Sequence, residues 1–88
     1  MKAKEMFEEL GYKLNESYDE KLITYIHIQH FMGERHFGIT FNLEYKEFHC
    51  WHYGYDENGR CQNGINLAIK IDLLKAINKQ IEELGWNE

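Results

Sequence analysis

The sequence predicts a two-layer α+β fold: a four-stranded antiparallel meander flanked by an N-terminal and a C-terminal helix on one sheet face. Three observations carry this. A phrase recurs at the two ends, Glu8-Glu9-Leu10-Gly11-Tyr12 and Glu82-Glu83-Leu84-Gly85-Trp86, each after an amphipathic stretch. Between the ends lie strand-like runs separated by turn signals, Asn58-Gly59 being the strongest. The 88 residues form a single domain, 1–88, with 43% apolar and 15% aromatic residues to fill its core.

The first helix runs from Lys2 to Leu10, with Ala3, Met6, Phe7 and Leu10 at helical spacing. Gly11 suits the left-handed position just past a helix end. The Schellman pattern then brings Phe7 against Tyr12. The last helix carries the stripe Leu73, Leu74, Ile77, Ile81 and Leu84, with Asp72 as N-cap. Gly85 stops it, and Trp86 packs on Ile81 at the same offset as Tyr12 on Phe7.

Turn chemistry sets the strand registers. A two-residue turn at Asn58-Gly59 pairs Trp51 with Asn66, Cys50 with Leu67, Phe48 with Ile69 and Glu47 with Lys70. A turn centred on Glu44-Tyr45 pairs Phe41 with Phe48 and Ile39 with Cys50. A turn at Gly33-Glu34 pairs Ile28 with Ile39 and Ile26 with Phe41. These registers gather Thr24, Ile26, Ile28, His30, Phe37, Ile39, Phe41, Leu43, Phe48, Cys50, His52, Ile65, Leu67, Ile69 and Ile71 on one core face. A one-residue slip would break that agreement, because it turns every side chain over. Tyr12 to Tyr18 leaves room for a short additional edge strand.

The opposite face is then open. It presents Tyr25, His27, Gln29 and Phe31, then His36, Gly38, Thr40 and Asn42. Glu47, His49, Trp51 and Tyr53 follow, with Gly64, Asn66, Ala68 and Lys70 last. Of these, Tyr25, His27, Phe31, His36, His49, Trp51 and Tyr53 are the candidate binding residues, since an exposed apolar patch marks an interface. Two plainer roles compete: aromatics are good strand formers, and Trp51 opposite Gly38 would cover a glycine. The partner is a protein, either foreign or a second copy of the chain.

Other chemistry finds less support. His27-x-x-His30 and His49-x-x-His52 have ligand-like spacing, but residues three apart on a strand point to opposite faces. His27 and His49 share the open face in the predicted register, about 10 Å apart across two strand spacings, too far for simple joint ligation of one zinc. Cys50 is expected in the core as an inert thiol, and Cys61 has no placed base. Both cysteines are expected to be free. No phosphate-cradling glycine loop is present. No catalytic residue, cofactor or metal is assigned, and the expected role is non-enzymatic. A net charge of −5 with no basic cluster disfavours nucleic acid, although stacked aromatics on a sheet can bind single strands. No signal peptide or membrane span is read from the sequence, so a cytoplasmic location is expected. Glutamates in the last turn of both helices oppose the helix dipole, and would suit a basic partner.

Ala3 to Tyr12 and Leu74 to Trp86 resemble small uncharacterised proteins carried by phages and integrative elements of Gram-positive bacteria. The resemblance covers the two helices. It implies a mobile-element setting in which small acidic proteins act by binding a host protein, as an anti-defence inhibitor does, and it assigns no activity to any residue.

Overall fold

The computed structural model describes residues 1–15, 19–30, 33–55, 58, 61–63 and 68–86, with backbone alone at 61–63. The chain is an α+β fold in which helix α1 (Ala3–Glu9) and helix α2 (Ile71–Leu84) bracket a five-stranded antiparallel sheet. The strands are β1 (Lys13–Asn15), β2 (Leu22–His30), β3 (Glu34–Asn42), β4 (Glu47–Tyr55) and β5 (Cys61–Asn63), and they neighbour one another in chain order. The optional edge strand therefore exists as β1.

Both helix stops form as the repeated phrase predicts. Gly11 has φ +91° and Gly85 has φ +73°. The amides of Tyr12 and Trp86 donate to the carbonyls of Phe7 and Ile81 at 2.9 and 3.2 Å. Those of Gly11 and Gly85 donate to Glu8 and Glu82, both at 3.0 Å. The Tyr12 ring meets Phe7 edge-on, with centroids 6.1 Å apart. The two glycines differ in surroundings. A Cβ on Gly85 would meet nothing within 4 Å, whereas one on Gly11 would lie 2.7 Å from the His27 ring. Gly85→Ala should therefore cost only the left-handed backbone penalty, about 1–2 kcal/mol. Gly11→Ala should cost clearly more when the two variants are compared by urea titration, because the His27 ring must move as well.

The helix-side core contains Ala3, Phe7, Tyr25, Ile39, Phe41, Leu73, Ala76 and Ile77. Phe7 stacks on Tyr25 with centroids 4.0 Å apart. The Tyr25 hydroxyl donates to Gln80 Oε1 at 2.8 Å, which satisfies two buried polar groups at once. Glu83 Oε2 accepts from the Ala3 amide at 2.6 Å, so the end of α2 caps the start of α1. Glu5 adds a longer bond to the Lys2 amide at 3.4 Å.

The registers divide. Between β3 and β4, Phe41 pairs with Phe48 and Ile39 with Cys50, as predicted. Asn42 Oδ1 accepts from the amides of Glu44 and Tyr45 at 3.0 and 3.1 Å, which shapes the turn. Between β2 and β3 the prediction fails. Tyr25 pairs with Ile39, Ile23 with Phe41 and His30 with Glu34. Three residues, 31–33, then span the loop, and Gly33 closes it with φ +110°. A three-residue loop places glycine last rather than first in the turn. The resulting odd slip turns β2 over.

The fourth predicted strand is also corrected. Tyr55 pairs with Cys61 and Tyr53 with Asn63, so five residues, 56–60, separate the strands and Asn58 lies at their centre. The pairs that would have joined Trp51 to Asn66 and Cys50 to Leu67 fall outside the described residues, as does Ile65. Ile69 and Ile71, expected in the core, are 42% and 66% exposed. Lys70 is the N-cap residue and Ile71 opens α2, so Asp72 lies in the first turn, where its charge suits the helix dipole. The buried face of α2 is Leu73, Ala76, Ile77 and Gln80, which leaves the predicted stripe member Leu74 exposed.

Candidate functional site

The inverted β2 redistributes the candidate residues. Tyr25 and His27, expected on the open face, lie on the helix side: Tyr25 is 3% exposed under Phe7, and His27 reaches towards α1. Phe31 lies outside the described residues. His36, His49, Trp51 and Tyr53 share the open face, as predicted from the β3–β4 register. Thr24, Ile26, Ile28 and His30, expected in the core, take the places on β2 beside them.

The open face is therefore more apolar than the sequence implied. Its rows across β2, β3 and β4 read Ile26–Gly38–Trp51 and Ile28–His36–Tyr53, with Tyr55 beyond. The Trp51 indole lies on Gly38, and its Nε1 donates to Thr40 Oγ1 at 3.2 Å. The Thr40 and Thr24 hydroxyls are 3.1 Å apart beneath it. Tyr53 stacks on His36 with centroids 4.7 Å apart, and lies nearly parallel to Trp51 at 5.6 Å. Tyr55 stands edge-on to Tyr53 at 5.8 Å. Trp51 thus does cover a glycine, as the plainer reading expected. Yet Ile28 and Tyr55 remain 45% and 41% exposed.

The charges of this face are arranged in His–Glu pairs. Glu34 has His36 Nε2 at 3.3 Å and His30 Nδ1 at 3.7 Å. Glu47 has His49 Nε2 at 3.3 Å. Lys13, on β1 beside Ile26, is the fixed cation of the described open-face strand positions. Lys70, predicted to share the face, instead borders a cleft on the helix side.

That cleft, about 370 Å³, is lined among others by Leu10, Tyr12, His27, Phe37, Lys70 and Leu73. His27 Nδ1 is 2.8 Å from the Gly11 carbonyl, so it carries the proton and donates. His27 Nε2 then accepts from the side-chain Nε2 of Gln29 at 3.2 Å. Tyr12 leans on the His27 ring at 5.3 Å. His52 stacks on Phe37 at 4.5 Å, and neither of its buried ring nitrogens has a hydrogen-bond partner. His27 flanks Phe37 on its other side, at 6.2 Å. His27 and His49 consequently lie on opposite faces of the sheet. Among the described residues no group of three or more His, Cys, Asp or Glu side chains could hold a metal ion.

Burial pushes the Cys50 thiol up, so it stays protonated and unreactive at neutral pH. Tyr25 is raised by burial and by the nearby Glu83 and Glu8 carboxylates. Tyr12 is raised by burial and by Cys50. The Gly11–Tyr12–His27 network was not foreseen. The repeated phrase marks Tyr12, but only the register of β2 brings His27 to it.

Among the described residues no helix is long and apolar enough to cross a membrane. Comparison with protein-family models, curated proteins and solved structures returns no match.

Proposed function

We propose that this chain is a non-enzymatic protein that works by protein–protein contact through the open face of its sheet. The supporting observation is the apolar surface on which exposed Ile28 and Tyr55 flank half-buried Ile26, Trp51 and Tyr53. Stacked aromatics could also hold bases, but Glu34 and Glu47 leave Lys13 little phosphate-binding power. A cytoplasmic, mobile-element setting goes with this reading, on the resemblance of the two helices.

The host-directed version, in which the acidic helix ends dock a basic partner, has less behind it. Glu83 is occupied in capping α1. Glu8 and Glu82 lie 3.9 and 3.6 Å from Lys4 and Lys79.

A photo-crosslinking amino acid placed at Tyr53 tests the open face against one placed at Tyr45, which is 69% exposed in the β3–β4 turn. Irradiation in extract and in purified protein should give protein adducts from Tyr53 and none from Tyr45. Equal yields from the two positions, or none from Tyr53, would refute a contact role for this face.

A further inference from the structure

We infer that the occupant of the open face is a second copy of this chain, related by a two-fold axis running along β3. The inference rests on the contact role proposed for this face. It comes from how the face is divided. Aliphatic side chains, Ile26 and Ile28, lie on β2, and aromatic ones, Trp51, Tyr53 and Tyr55, lie on β4, with β3 between. A closed dimer needs a surface complementary to itself. Rotation by a half-turn about β3 keeps each row at its own level and lays β2 of one copy over β4 of the other.

The rows then match. Ile28 faces Tyr53, and Ile26 faces Trp51, whose indole reaches back over Gly38 towards the axis. Thr24 faces His49, and His30 faces Tyr55, so polar and amphipathic groups meet at the ends. Glu34 lies on the axis and faces its copy. His36 Nε2, 3.3 Å away, is within hydrogen-bond reach of its carboxylate in both copies, with His30 Nδ1 at 3.7 Å. Two sheets pack this way with strands nearly aligned and about 10 Å apart.

The area is also of the right order. Three strands of nine residues give a footprint of about 14 by 30 Å, and β1 and β5 extend it. Side-chain relief raises the accessible area above that projection, towards the ~800 Å² per partner of a stable interface.

Light scattering on purified protein over a concentration series should reach twice the chain mass of 10.6 kDa. Ile28→Lys and Tyr53→Glu should each weaken dimerisation by about 10-fold or more. Combining both substitutions in one chain sets the introduced lysine against the introduced glutamate of the other copy. Dimerisation should then recover, as it should on mixing the two single variants. Circular dichroism on each variant checks folding, and recovery in the combined variant excludes misfolding as the cause of the single losses. A strict monomer at millimolar concentration would overturn the second copy; Tyr53 adducts to a foreign protein would then leave the contact role standing. A dimer indifferent to both single substitutions, or unrescued by their combination, would overturn this axis.

Discussion

Replacing Phe7 by alanine should remove about 3–5 kcal/mol of stability, the range for a fully buried aromatic. Phe7 has no exposed surface. It stacks on Tyr25 at 4.0 Å and meets Phe41 and Tyr12 edge-on at 6.4 and 6.1 Å. The cavity would open between α1 and the sheet, where the Tyr12 stop and the Tyr25–Gln80 bond fix neighbouring atoms and limit collapse. A domain of this length has about 4–13 kcal/mol in total, so about a quarter or more of the stability is at stake. Urea unfolding followed by circular dichroism should show a lower midpoint with an unchanged slope. Phe7→Leu, which keeps most of the volume, should cost much less. A loss under 1 kcal/mol for the alanine variant would mean that α1 is not anchored through this ring.

What could be read from the sequence divides by the distance over which the deciding interaction acts. The helix stops were legible because glycine, the C3 carbonyl and the following aromatic lie within six residues of one another. The β3–β4 register was legible because its turn is short and Asn42 shapes it from within. The β2–β3 register was not. Both alternations of β2 are rich in apolar groups: Thr24, Ile26 and Ile28 on one side, Ile23, Tyr25 and His27 on the other. Gly33 can serve as the first residue of a two-residue turn or the last of a three-residue loop.

The tie is broken by partners far away in the chain. Tyr25 stacks on Phe7 and bonds Gln80, and His27 bonds the Gly11 carbonyl. No local signal announces those meetings. The fourth strand, present as β5, was legible in its existence but not in its register or extent, for a related reason. Ile69 and Ile71 continue an alternating pattern, yet α2 begins at Ile71, and its 3.6-residue period buries Leu73, Ala76 and Ile77 instead. The candidate face lost Tyr25 and His27 by the same inversion that supplied Ile26 and Ile28. The aromatic half on β4 was therefore legible in the sequence, and the aliphatic half was not.

Gly38→Ala should destabilise the fold by about 1–3 kcal/mol, although alanine is small and β3 is a regular strand. The backbone at Gly38 makes no demand for glycine; the space above it does. A Cβ there would come within 1.9 Å of Trp51 Cζ2, 2.0 Å of Cε2 and 2.5 Å of Cη2. All three atoms belong to one rigid indole, so the whole ring must leave. Its departure breaks the Nε1 bond to Thr40, exposes Thr24, which is 8% exposed beneath it, and unstacks Tyr53. The prediction is best tested as a double-mutant cycle with Trp51→Ala. Once the indole is gone, Gly38→Ala should cost little, and the two effects should fall well short of additive. Additive losses would show that the glycine is needed for some reason other than Trp51. The indole N–H resonance of Trp51 should shift in Gly38→Ala while that of Trp86 stays, because Trp86 packs on Phe41 on the other side of the sheet. Because the flat indole also forms the middle of the proposed interface, Gly38→Ala should weaken dimerisation through a residue that the partner copy need not touch.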